Sequence, residues 1–166
     1  MNKNKAKPFL KWAGGKTKLL QYIENKIPYK TNEVFTFIEP FVGSGAVLFQ
    51  ILNNYPNIEK VVINDINTDL IITYKTISNS VEELIELLQR WELEYHKLSD
   101  NEDKKKEYYY NKRDLFNKRN SNKVNRSALF IFLNRTCFNG LYRVNRKNLF
   151  NVPIGSYKKP TIQASN

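Results

Sequence analysis

The sequence predicts an α/β fold in which a parallel, doubly wound core is followed by a mainly helical segment that ends in a β-hairpin. Three observations carry this. Short β-prone runs alternate with helix-like stretches up to about residue 75, apolar residues then recur every three or four positions, and Asn139-Gly140 is the strongest hairpin signal in the chain.

The first strand is expected at Glu33–Glu39, stopped by Pro40, and Gly43-Ser-Gly45 then leads into a helix over Ala46–Leu52. Lys60–Asp65 reads as the second strand and Thr68–Lys75 as its following helix, so the unit is β-loop-α-β, with ligands at the carboxyl ends of the strands. Ser80-Val-Glu-Glu83 resembles a capping box, and Val81, Leu84, Leu88, Trp91, Tyr95 and Leu98 share one helical face. That stripe is core packing. Asn101–Glu107 reads as a charged turn or helix start, Tyr108–Phe116 as a helix, and Ser127–Leu133 as a buried helix. Asn139-Gly140 then suits a type I′ turn, because both residues tolerate positive φ.

Composition narrows the function. The chain has 166 residues, 41% of them hydrophobic, and no apolar run approaches the roughly 18 residues that suggest a membrane span. With no apolar stretch after its basic start, it is expected to be cytoplasmic. One histidine, His96, and one cysteine, Cys137, supply neither a His/Cys metal site nor an internal disulfide. The net charge of +11 is unevenly placed. Residues 1–103 hold 12 Lys and Arg against 14 Asp and Glu, whereas residues 104–160 hold 15 against 2 and carry 10 of the 22 aromatics. Basic residues interleaved with aromatics are the footprint of a nucleic-acid-binding surface, against the plainer alternative of a lysine-rich solvated face.

Gly43 and Gly45 stand between strand and helix, where a ligand can approach the backbone and helix-start amides can meet an anionic group. Asp65 ends the second strand at the spacing of a ribose-binding carboxylate. A dinucleotide fingerprint needs a third glycine where this chain has Leu48. The loop therefore suits an adenosine-containing cofactor without phosphates, such as S-adenosylmethionine, better than NAD. An ordinary strand-to-helix turn is the alternative.

Five blocks in order, Phe9-Leu-Lys-Trp-Ala-Gly-Gly-Lys16, Glu39-Pro-Phe-Val-Gly-Ser-Gly45, Asn64-Asp-Ile-Asn67, Phe132-Leu-Asn-Arg-Thr-Cys-Phe-Asn-Gly-Leu-Tyr-Arg143 and Phe150-Asn-Val-Pro-Ile-Gly155, resemble the Dam-type (D12 class) DNA adenine-N6 methyltransferases. The resemblance implies a partial Rossmann-like core over residues 1–77, a target-recognition domain over 78–152 that binds double-stranded DNA, and a return to the core over 153–166. It implies S-adenosylmethionine at Trp12, Lys16, Phe41, Gly43, Gly45 and Asp65, with Glu39 behind them or simply ending the strand. For DNA it implies Lys11 near the target base and the Phe138–Arg146 hairpin in the duplex. Arg143 would read a base, Arg146 and Lys147 would contact phosphate, and Phe138, Asn139 and Leu141 would wedge into the gap left by an extruded adenine. GATC is the family's common target, and a restriction-modification system is one setting for such an enzyme.

The family's catalytic motif, of Asp-Pro-Pro-Tyr type, does not occur, since the chain contains no Pro-Pro pair. The sequence is therefore expected to be the amino-terminal part of such an enzyme, holding no catalytic residues and transferring no methyl group alone. A non-catalytic DNA- or cofactor-binding remnant is the alternative.

Overall fold

Two parallel strands hold the first half of the chain together in the computed structural model, which describes residues 5–163. Strand β1 (Phe35–Glu39) pairs with β2 (Ile58–Ile63), with Phe37 opposite Val61 and Glu39 opposite Ile63. The helix between them, α2 (Ala46–Asn54), makes the crossover that parallel pairing requires. Strand β1 starts two residues later than expected and ends at Glu39 as expected, whereas β2 lies two residues earlier, because Asn64 and Asp65 already belong to the turn beyond it. Alternation sends Phe35 and Phe37 to one face, where they pack with Val47, Ile51 and Tyr55 of the α2 region and with Leu20 and Ile23 of the short α1 (Leu20–Glu24). Phe35 stacks on Tyr29, centroids 4.4 Å apart, and meets Tyr55 edge-on. Glu24 accepts from the amide groups of Gln50 and Asn54, which ties the end of α1 to α2. On the opposite face, Ile38 and its register partner Val62 are exposed.

Contacts divide the chain between Ile66 and Asn67. The second unit is four helices: α3 (Thr68–Asn79), α4 (Val81–Lys97), α5 (Glu102–Lys118) and α6 (Lys123–Thr136). Helix α6 is central, with residues 126–134 all buried, and α3, α4 and α5 pack around it. The expected face of α4 is buried at Leu84, Leu88, Trp91 and Tyr95, while Val81 at its start is exposed. Asn67, Asn101 and Asn122 cap α3, α5 and α6, each side chain accepting the amide three residues on. Asn101 thereby starts one continuous α5 where a charged turn and a shorter helix were expected.

Ser80 makes no side-chain cap bond, contrary to the capping-box reading. It is the corner between two helices: its amide closes α3 on Thr76 O at 2.8 Å, and that junction fixes its backbone.

The hairpin is also placed differently. Asn139 and Gly140 do adopt positive φ, 53° and 64°, but they close the end of α6, with Gly140 N donating to Cys137 O and Asn134 Nδ2 to Gly140 O. The antiparallel contacts are two isolated bridges, Cys137 with Ile154 and Val144 with Phe150. The reversal between Val144 and Phe150 is made by Asn145, whose Oδ1 accepts from the amides of Lys147 and Leu149. Residues 148–163 form no ladder. Side chains of α4 and α5 hold them, as Asn117 donates to Phe150 O and accepts from Phe150 N, Tyr109 donates to Val152 O, Lys105 to Tyr157 O and His96 to Pro160 O, and Glu92 accepts from the amides of Ile162 and Gln163.

An ion pair lies inside the second unit. Asp69 and Arg126 are both buried, with Arg126 Nε donating to Asp69 Oδ1 at 2.6 Å and Nη1 to Phe116 O at 3.0 Å. Asp69→Ala leaves the guanidinium buried without its counter-charge, and denaturant titration should show unfolding made easier by about 3 to 5 kcal/mol. A loss under about 1 kcal/mol, the range of exposed pairs, would show that water takes over the role of Asp69.

Candidate functional site

The carboxyl ends of β1 and β2 open into a cleft of about 230 Å³ within the first unit. Its wall includes Trp12, Lys16, Phe41, Gly43 and Asp65, so five of the six residues expected to hold the cofactor come together. The sixth, Gly45, is buried at the N-cap of α2.

The loop is shaped by dihedral angles. Gly43 and Gly45 have φ of 52° and 85°, which ordinary side chains rarely adopt. Trp12 lies across Gly43, where an added Cβ would sit 3.3 Å from Trp12 Cδ1. The amides of the two glycines are used within the first unit. Gly43 N donates to Asp65 Oδ2 at 2.9 Å and Gly45 N to Val42 O at 2.9 Å, so these amides hold the loop against the turn after β2 and against itself.

Lys16 joins two walls of the cleft. Its ammonium pairs with Glu39 Oε1 at 3.0 Å and donates to the carbonyl of Phe41. Glu39 therefore belongs to the site's framework. Burial pushes its carboxyl above the ordinary value, against the opposing pull of the Lys16 ammonium and of the Leu48 amide. Phe41 is 73% exposed and Ile66, the neighbour of Asp65, is 98% exposed. The sequence reading did not single out Ile66, which follows Asp65 but is not among the residues lining the cleft.

Lys11 is exposed and not on the cleft wall. In the second unit, Phe138, Asn139 and Leu141 are exposed on the turn after α6, not at the tip of a hairpin. The tip is at Arg146 and Lys147, both exposed. Arg143 is exposed between these two groups, its Nε donating to Asn151 Oδ1 at 2.8 Å.

Not all of the basic excess lies on this surface. Lys105 and Arg126 are buried. Lys112 is half-buried with its ammonium 3.6 Å from the centre of the Trp91 ring, and burial pushes its pKa down to about 8. Among the described residues, no group of three or more His, Cys, Asp or Glu side chains could hold a metal ion. No described helix is long and apolar enough to cross a membrane.

The first unit thus carries a strand-loop-helix cleft with Asp65 in the turn after β2, and the second, helical unit carries an exposed basic turn. The model of the D12 class N6 adenine-specific DNA methyltransferases matches residues 12–166, and the chain belongs to that family. It is 54% identical to a type II methyltransferase, M.MjaIII, of Methanocaldococcus jannaschii over 160 residues, which are 94% of this chain and 54% of that protein. It is 42% identical to the type II methyltransferase M1.LlaDCHI of Lactococcus lactis over 97% of this chain and 52% of that one, and 43% identical to the DNA adenine methylase of Haemophilus influenzae over 94% and 49%. The chain spans about half the length of the curated relatives it matches.

The raised pKa of Glu39 fixes the sign of a pH effect. The folded state binds the carboxyl proton more tightly than the unfolded state does, so this group's contribution to stability falls as pH rises from 4.5 through the higher folded value. Glu39→Gln removes that slope. The variant's stability relative to the parent should therefore rise with pH across the window above 4.5 and then level off, as read from unfolding midpoints in buffers of stepped pH. A difference that shrinks across that window would mean that the Lys16 pair outweighs burial.

Proposed function

We propose that this chain is the cofactor-binding and target-recognition portion of an S-adenosylmethionine-dependent DNA adenine-N6 methyltransferase. The observation that carries the reading is the single cleft formed by the Trp12–Lys16 loop, the Phe41–Gly43 turn and Asp65. The residues present suit the cofactor: a carboxylate for ribose hydroxyls, an indole for the sulfonium side, and exposed Phe41 and Ile66 as apolar surfaces for the adenine ring. Bound there, S-adenosylmethionine would supply an electrophilic methyl group. The chain's own work is to seat it, with Asp65 fixing one end and Lys16, braced by Glu39, keeping the loops apart.

The exposed turns at 138–141 and 143–147 form the DNA-facing surface. Arg143 reads a base, with GATC as the proposed target, Arg146 and Lys147 hold phosphates, and Phe138, Asn139 and Leu141 fill the space vacated by the extruded adenine. Lys11 approaches the target base. No Asp-Pro-Pro-Tyr sequence is present to grip the flipped amine, so these residues alone bind without transferring a methyl group. Modification within a restriction-modification system is the proposed setting, supported by the type II methyltransferases among the relatives.

Calorimetry with S-adenosylmethionine should show binding that Asp65→Ala weakens by about 1 to 3 kcal/mol, the scale of hydrogen bonds left unmade. Unchanged affinity would remove Asp65 from the site, and binding of NAD in its place would end the methyltransferase reading. On DNA, Arg143→Ala should cost about 1 to 3 kcal/mol of discrimination between a GATC duplex and a scrambled one. Equal losses on both would make Arg143 a backbone contact.

A further inference from the structure

We infer that Asn151 is a specificity-positioning residue, which holds the guanidinium of Arg143 so that a fixed edge of it faces a base. This rests on the DNA-reading role proposed for Arg143. Arg143 Nε donates to Asn151 Oδ1 at 2.8 Å, Nη2 approaches Asn151 O at 3.5 Å, and Asn151 N donates back to Arg143 O at 3.1 Å. A long, exposed side chain is thus tethered at both its backbone and its head group. The tether is itself immobilised. Phe150, 3% exposed, has both backbone polar groups bonded by the Asn117 side chain, and Val152, 1% exposed, has its carbonyl bonded by Tyr109. Across from it, Val144 bridges to Phe150, and the Tyr142 ring packs against Phe130 and Phe150 with its hydroxyl directed at buried Asp69.

The consequence is chemical. With Nε occupied by Asn151, the N–H groups at the far end of the guanidinium remain for two parallel bonds to a guanine edge. A free arginine would reach phosphates and bases of many sequences and would first have to lose its rotamer freedom. Holding it beforehand converts a general cation into a directional reader. Asn151 touches no base in this scheme and acts only through Arg143.

The test is a double-mutant cycle on the protein with its recognition sequence defined first, by selecting the duplexes that the parent enriches from a random pool. The readout is the ratio of affinities for the enriched and a scrambled duplex. Asn151→Ala should lower that ratio by about tenfold, as expected for one lost charge-assisted hydrogen bond, with scrambled-duplex affinity and salt slope unchanged. In an Arg143→Ala background, Asn151→Ala should change nothing further. An unchanged ratio in the single variant overturns the inference, as does an additive loss in the Arg143→Ala background or a matching loss on scrambled DNA, either of which gives Asn151 a phosphate or general structural role. If the parent enriches no duplex, or Arg143→Ala leaves the ratio intact, it is the DNA-reading role of Arg143 that fails, and the inference falls with it.

Discussion

Buried or half-buried backbone outside helices and sheets must find hydrogen-bond partners somewhere, and in this protein that requirement organises the segment that follows α6. The segment from Asn148 to Gln163 has almost no strand pairing of its own. Helices α4 and α5 supply the missing partners as side chains: Glu92, His96, Lys105, Tyr109 and Asn117 meet it in reverse order as it runs back along them. Each contact is a single bond or a pair, but together they act as a ladder with one rail made of side chains. A flexible loop is thereby replaced by a surface whose exposed groups start from fixed positions.

The same requirement explains why the basic third of the chain does two jobs. Lys105 is buried because Tyr157 O needs a donor, and Arg126 is buried because Asp69 and Phe116 O need one. Desolvating these cations is costly, and the cost is offset by the bonds from Lys105 Nζ and from Arg126 Nε and Nη1, although Arg126 Nη2 is buried without a hydrogen-bond partner. Lys112 takes the other course, resting against the Trp91 and Tyr108 rings. The cations left to solvent include Arg143, Arg146 and Lys147 on the turns, and also Lys104, Lys106, Lys118, Arg119, Lys123, Lys158 and Lys159. Net charge therefore counts several cations that the fold itself uses.

Much of this was legible in the sequence, and the failures have physical reasons. The β-loop-α-β unit, the buried stripe of α4 and the burial of α6 follow from periodicity, which reports burial directly. The residues around the cleft were found because glycine spacing and a strand-end carboxylate constrain backbone and chemistry together. The hairpin was misplaced because Asn139-Gly140 encodes a pair of dihedral angles and says nothing of what the flanking residues pair with. The residues before it end α6, where Cys137 bridges to Ile154, and those after it lead to Val144, which bridges to Phe150. The role of Ser80 was misread for a similar reason, since a capping motif cannot show that its first residue also ends the preceding helix.

Glycine in the cleft shows how local constraint becomes chemistry. At Gly43 the backbone is left-handed and an added Cβ would crowd the Trp12 indole, and the amide turned by that conformation reaches Asp65. The carboxylate is thereby held at the rim of the cleft before any ligand arrives. Lys16 ties the segment before α1 to the end of β1 through Glu39 and the Phe41 carbonyl, while Val42 N to Asn64 O and Gly43 N to Asp65 Oδ2 join the loop after β1 to the turn after β2. A substitution at any of Gly43, Asp65, Lys16 or Glu39 changes these ties even if it removes no contact with a ligand. Such a site is preorganised by the residues that line it, and this is why the acidic groups at the two strand ends are tied into the loops and not left in water.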